Sequence, residues 1–130
     1  MPAPFKYRTT GFVGIDTAFK NRVQIPPGTD IVQSAISAVS YSVTEMVGAQ
    51  QNTSTGSGTP SVASSVFNAL QTPSIDPSWT QDNTGYNFSV TIPGASFPDV
   101  GDYVVKFLLT PAGGGTPVPV IFFHHCNSVT

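Results

Sequence analysis

The sequence predicts an all-β fold, an antiparallel β-sandwich folded as a single domain. Three observations indicate this class: apolar and polar residues alternate in several segments, glycine- and proline-rich stretches separate those segments, and no long helical periodicity is present. Glycine and proline each occur 12 times among the 130 residues. A chain of this length is sufficient for one hydrophobic core and too short for two.

Three strands are predicted in the first half of the chain. In the first, Phe19, Val23 and Ile25 alternate with polar residues, and the second covers residues 39–47, where bulky residues alternate with serine and threonine. Residues 62–70 are predicted as a third, short strand, although their apolar residues also fit a single helical turn.

The second half carries the clearest strand signals. Residues 86–92 alternate strictly between apolar and polar side chains. Residues 103–109 repeat the apolar positions, while Val104 and Leu108 indicate that the other face is also partly covered, with Lys106 as its one charge. A final strand at 118–123 follows a glycine-rich hairpin connection at 111–117. Pro119 cannot donate to a β-ladder, which places the start of the last strand at a sheet edge or a bulge. The residues assigned to the core are Phe88, Tyr103, Phe107 and Phe122.

Residues 48–65 are uncharged, small and polar, and are predicted to form a long flexible loop that orders only against a partner. The predicted organisation is an extended N-terminal arm at 1–14, one sandwich domain at 15–126 and a C-terminal tail at 127–130.

The connection between the strands at 86–92 and 103–109 contains the pattern Asp-x-Gly-x-Tyr at Asp99, Gly101 and Tyr103. This pattern resembles the tyrosine corner of immunoglobulin-like sandwiches, in which the tyrosine hydroxyl bonds to backbone a few residues upstream. Where antibody domains carry a core cysteine two residues later, this chain has Val105. The resemblance covers residues 85–123 and implies an immunoglobulin-like antiparallel sandwich.

The order of segments also resembles that of accessory structural proteins of tailed bacteriophages. This resemblance implies a non-enzymatic virion protein, assembled in the host cytoplasm, that acts as a cement or decoration protein on neighbouring major capsid subunits. A tail or baseplate component is the alternative. The implied partners are the major capsid protein or other virion proteins, in a homo-oligomer or a lattice-bound multimer.

Charge is scarce and unevenly distributed. Charged residues make up 9% of the chain and the formal net charge is −2, which disfavours nucleic acid and membranes as partners. Residues 1–29 nevertheless carry about +3 and the remainder about −5. Two interpretations of this charge remain open: the four N-terminal cations are solvated on two edge strands, or the N-terminal region docks on an acidic neighbour. Docking would include strand addition at residues 5–13 or 118–123. The predicted partner-binding residues are Phe5, Lys6, Tyr7, Arg8 and Phe12.

Other kinds of site have weaker support in the sequence, and no cofactor or metal is predicted. In an extended strand, His124 and Cys126 lie on one face and His125 lies on the other, so at most two of the three side chains can bind the same metal ion. We therefore expect an exposed strand end at these residues and no metal centre. A calcium site at Asp82, Asp99 and Asp102 is outweighed by ordinary turn formation.

Nucleophile and phosphate-binding motifs are missing, which disfavours catalysis. A sugar-binding module would use Phe5, Tyr7, Phe12 and Trp79 as a platform, although phenylalanine is more often found in a core. The lone Cys126 precludes an intramolecular disulfide, as is usual for a protein that matures in a reducing compartment.

Overall fold

The computed structural model describes residues 5–25, 28–47 and 50–128. It consists of two β-sheets packed face to face, which confirms the predicted all-β sandwich. The strands are β1 (Phe5–Phe12), β2 (Thr17–Asn21), β3 (Ile36–Val47), β4 (Gln50–Gly58), β5 (Val66–Gln71), β6 (Tyr86–Ile92), β7 (Gly101–Pro111) and β8 (Val118–Asn127). A single helical turn, α1 (Val62–Ser65), and two 3₁₀ turns (Gln33–Ala35 and Gly94–Ser96) lie between them.

One sheet has five strands in the order β1-β8-β7-β3-β4, and the other has three in the order β2-β6-β5. Neighbouring strands are antiparallel except β1, which runs parallel to β8. The chain therefore changes sheets between β6 and β7, at the Asp-x-Gly-x-Tyr motif.

The core forms between the inner faces of the two sheets. Phe19 of β2 contacts Phe107 of β7 and Phe122 of β8, with ring centroids 6.0 and 5.1 Å apart. Phe88 of β6 packs edge-on against Phe107 at 5.1 Å. The four residues assigned to the core from the sequence are all at most 1% exposed. Strict alternation therefore identified the inner face correctly.

The tyrosine hydroxyl occupies the position that the motif predicts. Tyr103 donates its hydroxyl hydrogen to the carbonyl oxygen of Asp99 at 2.7 Å, and the amide of Asp99 donates to the hydroxyl oxygen of Tyr103 at 3.0 Å. Gly101, between them, has φ +140°, which favours glycine. Val105, in place of a cysteine, is fully buried.

The predicted strand at 19–25 ends earlier than expected. β2 stops at Asn21, and the backbone of Val23 is bonded to the buried Asn87 side chain: its amide donates to Oδ1 at 2.7 Å, and its carbonyl accepts from Nδ2 at 3.0 Å. Asn87 also donates to the carbonyl of Ile31 at 3.4 Å. The Asn87 side chain therefore takes the place of a β6 backbone partner for Val23, while the backbone of this segment pairs with residues 29–31 at the isolated bridge Gln24↔Asp30.

The prediction of a flexible loop at 48–65 was wrong for the residues that the structure describes. Residues 50–58 form the edge strand β4, paired with β3, and residues 62–65 form α1. Gly56 faces Ser96, and an added Cβ there would clash with the serine hydroxyl at 2.2 Å. Gly58 faces Tyr41, and an added Cβ there would clash with the tyrosine ring at 2.7 Å. β4 is thus held by backbone pairing and close approach, without large side chains. Residues 48 and 49 lie outside the described residues.

The segment 62–70 combines both possibilities that the sequence left open. It begins with the helical turn α1, capped by the Ser61 hydroxyl, which accepts from the amide of Ser64 at 3.2 Å. It then continues as β5.

The boundaries predicted for the arm and tail were also wrong. β1 is an integral strand of the five-stranded sheet, paired with β8 from Phe5↔Val120 to Phe12↔Asn127, and residues 1–4 lie outside the described residues. β8 runs to Asn127 and lies between β1 and β7, so residues 118–123 do not form a sheet edge. Pro119 pairs in register with Leu108 of β7, one residue before the described pairing of β8 with β1 begins, so the predicted sheet edge or bulge at this position was wrong.

Candidate interaction surface

The outer face of the five-stranded sheet carries two neighbouring rows of residues. Because inward and outward side chains alternate, the register places Lys6, Ile121 and Lys106 in one row. Arg8, Phe123 and Val104 form the next row. These six residues, drawn from β1, β8 and β7, are called the basic-apolar face below.

The cations of this face are unpaired. Lys6, Arg8 and Lys106 are exposed and form no ion pair in the described part of the chain. The remaining cations are neutralised elsewhere: Lys20 lies 2.9 Å from Asp76, and Arg22 lies 2.7 Å from Asp30. Of the four cations in residues 1–29, only Lys6 and Arg8 therefore remain without an ion pair among the described residues. Lys106 of β7 lies in the same row as Lys6 and adds a third cation to this face.

Exposed apolar surface lies between these cations. Phe123 is 39% exposed, Ile121 is partly exposed, and Phe12 at the end of β1 is 50% exposed. Val104 is buried at 7% although it is on the outer side of the sheet. Cations around an apolar centre are typical of a protein-binding patch, because long basic side chains can pack their stems along apolar groups.

A cavity of about 350 Å³ adjoins the basic-apolar face. Arg8 and Phe123 line one side, and Met46, Asp102 and His125 line another. The Nδ1 atom of His125 lies 2.7 Å from Oδ1 of Asp102, which fixes the orientation of that imidazole. The cavity could receive a single side chain of a bound partner.

The basic-apolar face ends at an open strand edge. β1 pairs with β8 on one side and with no second strand among residues 5–25, 28–47 and 50–128. Its other backbone edge can therefore accept a strand from outside the domain.

The five residues that the sequence analysis predicted for partner binding lie in different environments in the structure. Lys6 and Arg8 project outward, and Phe12 is half exposed, as partner binding requires. Tyr7 is partly buried and packs on Phe122, with ring centroids 5.3 Å apart, and its role in partner binding stays a prediction. Phe5 pairs with Val120, and its side chain lies outside the described part of the chain.

Sequence reasoning missed Lys106 and Phe123. Lys106 was visible as the one charge in the alternating segment 103–109. Its place beside Lys6, however, depends on the order of β1, β8 and β7 in the sheet.

The sugar-binding platform is not formed, because Trp79 is buried. Its indole is 5% exposed, stacks on Tyr86 with ring centroids 5.1 Å apart, and donates Nε1–H to Asp82 at 2.9 Å. Asp82 also accepts from the amides of Thr84 and Gly85, as its predicted turn role requires.

The His124-His125-Cys126 segment follows the predicted alternation but lies in a different environment. His124 and Cys126 are on the buried face of β8, and His125 is on the outer face. The expectation of an exposed strand end was wrong, because β8 continues between two strands here. Within the described residues no three His, Cys, Asp or Glu side chains are grouped so that they could hold a metal ion.

A polar network fastens the segment before β6 to β2. The Asp76 carboxylate accepts from Lys20, from both the amide and hydroxyl of Ser78, and from the Tyr86 hydroxyl. The Ser78, Tyr86 and Lys20 bonds hold the pKa of Asp76 well below its usual range. Burial and the neighbouring carboxylate raise the pKa of Tyr86 to about 12.

Comparison of the chain with models of protein families, with curated proteins and with solved structures gave no match. No helix within the described ranges has the length and apolar character needed to cross a membrane.

Proposed function

We propose that the protein is a non-enzymatic structural protein of a tailed-phage virion that binds and stabilises neighbouring major capsid subunits. The observation that carries the binding role is the basic-apolar face, where three unpaired cations surround exposed apolar side chains beside the open edge of β1. The virion assignment rests on the segment layout described from the sequence.

The immunoglobulin-like character of the sandwich is part of this proposal. It is supported by the strand orders, since the β2-β6-β5 and β8-β7-β3-β4 arrangements correspond to the B-E-D and G-F-C-C′ orders of variable-type domains. The hydrogen bonds of Tyr103 at the crossing between sheets support the same classification.

The proposed mechanism combines apolar burial with charge complementarity. Covering the exposed 39% of Phe123 removes roughly 80 Å² from water, which contributes about 2 kcal/mol to binding. Lys6, Arg8 and Lys106 select an acidic partner surface and accelerate its association. Addition of a partner strand to β1 supplies backbone hydrogen bonds and fixes the orientation.

Binding to virus particles from which this protein has been removed tests the proposal. The wild-type protein is expected to rebind saturably, and Phe123→Ser is expected to weaken binding roughly 10- to 30-fold. The double variant Arg8→Gln/Lys106→Gln is expected to slow association and reduce its dependence on salt.

A matched control variant distinguishes the effect of the basic-apolar face on binding from the effect of net charge alone. Thr91→Glu/Ala69→Glu lowers the net charge by the same two units on exposed positions of the three-stranded sheet, and is expected to bind almost as wild type does. Absence of saturable rebinding by the wild type would refute the structural role. Equal losses in the two double variants would refute the assignment of the face.

A further inference from the structure

His124 is a buried histidine on the inner face of β8. It is 1% exposed and lies between the rings of Phe19 and Phe97, at centroid distances of 5.1 and 4.9 Å. Its register neighbours are Thr9 on β1 and Tyr103 on β7. The imidazole is therefore enclosed where β1 closes the edge of the core.

β1 holds the imidazole through one hydrogen bond and one close approach. Thr9 Oγ1 lies 2.7 Å from Nδ1, whereas Nε2 has no hydrogen-bond partner among the described residues. At Gly11 an added Cβ would lie only 2.9 Å from Nε2. Each neutral tautomer of His124 makes a hydrogen bond with Thr9 and leaves Nε2 without a partner. The closed position of β1 therefore carries the free-energy penalty of a buried, unsatisfied ring nitrogen.

Among the described residues, no acidic side chain bonds to the His124 ring, although Asp102 and Arg8 line the same cavity as His124. β1 contributes Thr9 and Gly11, β2 contributes Phe19, and the segment after the second 3₁₀ turn contributes Phe97. The titratable groups on the same inner face are Tyr103 on β7 and Cys126 on β8, and burial raises the pKa of both. His125 on the opposite face of β8 is itself a base, and no described carboxylate forms an ion pair with His124.

A protonated His124 is therefore unfavourable while β1 is closed. Burial, with a smaller contribution from His125, lowers the pKa of the imidazole from 6.5 to about 4. Opening β1 would expose the ring to water and relieve this penalty. Because β1 is an edge strand, its opening would disrupt the pairing with β8 and the packing of Tyr7 on Phe122, and would leave the other strand pairs in place.

We propose that His124 and Thr9 form a proton-sensitive latch on β1, which holds the strand closed at neutral pH and releases it from β8 on mild acidification. The released state presents the free edges of β1 and β8 to a partner strand. That use of the strand rests on the proposed function, whereas the release itself does not.

The size of the effect follows from the two protonation equilibria. With a pKa of about 4 in the closed state and 6.5 in the open state, the ratio of open to closed β1 rises about 20-fold between pH 7 and pH 5.

Native-state hydrogen exchange of the free protein tests the latch. Amides of Phe5–Phe12, corrected for intrinsic exchange, are expected to show about 20-fold more opening at pH 5 than at pH 7, while β6 amides change little. His124→Gln, which cannot be protonated, is expected to remove this pH dependence. His125→Gln, the matched control on the exposed face, is expected to keep it.

Thr9→Val removes the hydroxyl without adding a titratable group, and is expected to increase β1 opening already at pH 7. If His124→Gln does not fold, NMR titration of the wild type replaces it: the His124 ring and the β1 amides are expected to share one midpoint. Opening of β6 in parallel with β1, or an unchanged pH dependence in His124→Gln, would overturn the latch. Because no partner is present, that failure would leave the proposed binding function standing.

Discussion

Replacing Tyr103 by phenylalanine should destabilise the fold through a single hydroxyl group. The ring is 1% exposed, and its oxygen makes two hydrogen bonds to the backbone of Asp99, at 2.7 and 3.0 Å. Phenylalanine preserves the ring packing, including the edge-on contact with Phe97 at 5.2 Å. The variant therefore isolates the hydrogen bonds from the apolar contribution.

The expected loss in the free energy of unfolding is about 1–2 kcal/mol. Each neutral hydrogen bond contributes about 1 kcal/mol net, and the exposed loop at Asp99 allows water to replace part of what is lost. For a domain of this size, the melting temperature should fall by roughly 3–8 °C.

Urea unfolding of Tyr103→Phe is the assay, with Tyr41→Phe as the matched control. Tyr41 is a partly buried tyrosine on β3 whose hydroxyl has no described hydrogen bond, so its variant should change stability by less than about 0.5 kcal/mol. An unchanged m-value would show that the denatured state is unaffected. Equal stabilities of the two variants would refute the role assigned to the tyrosine corner.

Three further predictions concern stability. Asn87→Ala should lower the free energy of unfolding in urea by about 1–3 kcal/mol, because the Val23 amide and carbonyl lose their hydrogen bonds to the Asn87 side chain. The control is Asn83→Ala, a change at an exposed position. Gly94→Ala should lower the melting temperature markedly, since a Cβ would lie 2.2 Å from the Gly14 carbonyl oxygen, whereas Gly113→Ala meets no atom within 4 Å and should be tolerated. Because the pKa of Asp76 is lowered in the folded state, the carboxylate contributes fully to stability above pH 3.8, and this contribution is lost as the pH falls below that value. Asp76→Asn should therefore reduce the fall in the free energy of unfolding at acidic pH. An unchanged fall in the variant would contradict this prediction.

The parts of the fold that could be predicted from the sequence are those governed by local pattern. β6 was identifiable because large apolar residues alternate with polar ones, and the inner face of β7 because large apolar residues recur at every second position. The Tyr103 motif specified its own short-range hydrogen bonds. β4 gave no such signal, since its glycines are required by contacts with Tyr41 and Ser96 and its order depends on pairing with β3.

The candidate surface depended on information that a single segment does not carry. Lys6 and Lys106 are 100 positions apart, and they become neighbours only because Ile121 of β8 pairs with both. Likewise, the burial of His124 follows from β1 covering the edge of β8. Alternation within a strand could predict that His124 and Cys126 share a face, but not which strand would cover them.

The charge on β1 also bears on the kind of partner. An exposed edge strand invites pairing with a second copy of itself, and a two-fold antiparallel pair of β1 strands centred on Tyr7 would bring Lys6 opposite Arg8 of the other copy. Like charges at facing positions destabilise such a pair, whereas acidic residues at the same positions stabilise it. The two cations therefore disfavour this self-association and favour a different, acidic chain. This selectivity supports the proposed binding to other subunits, because self-pairing would occupy the same edge.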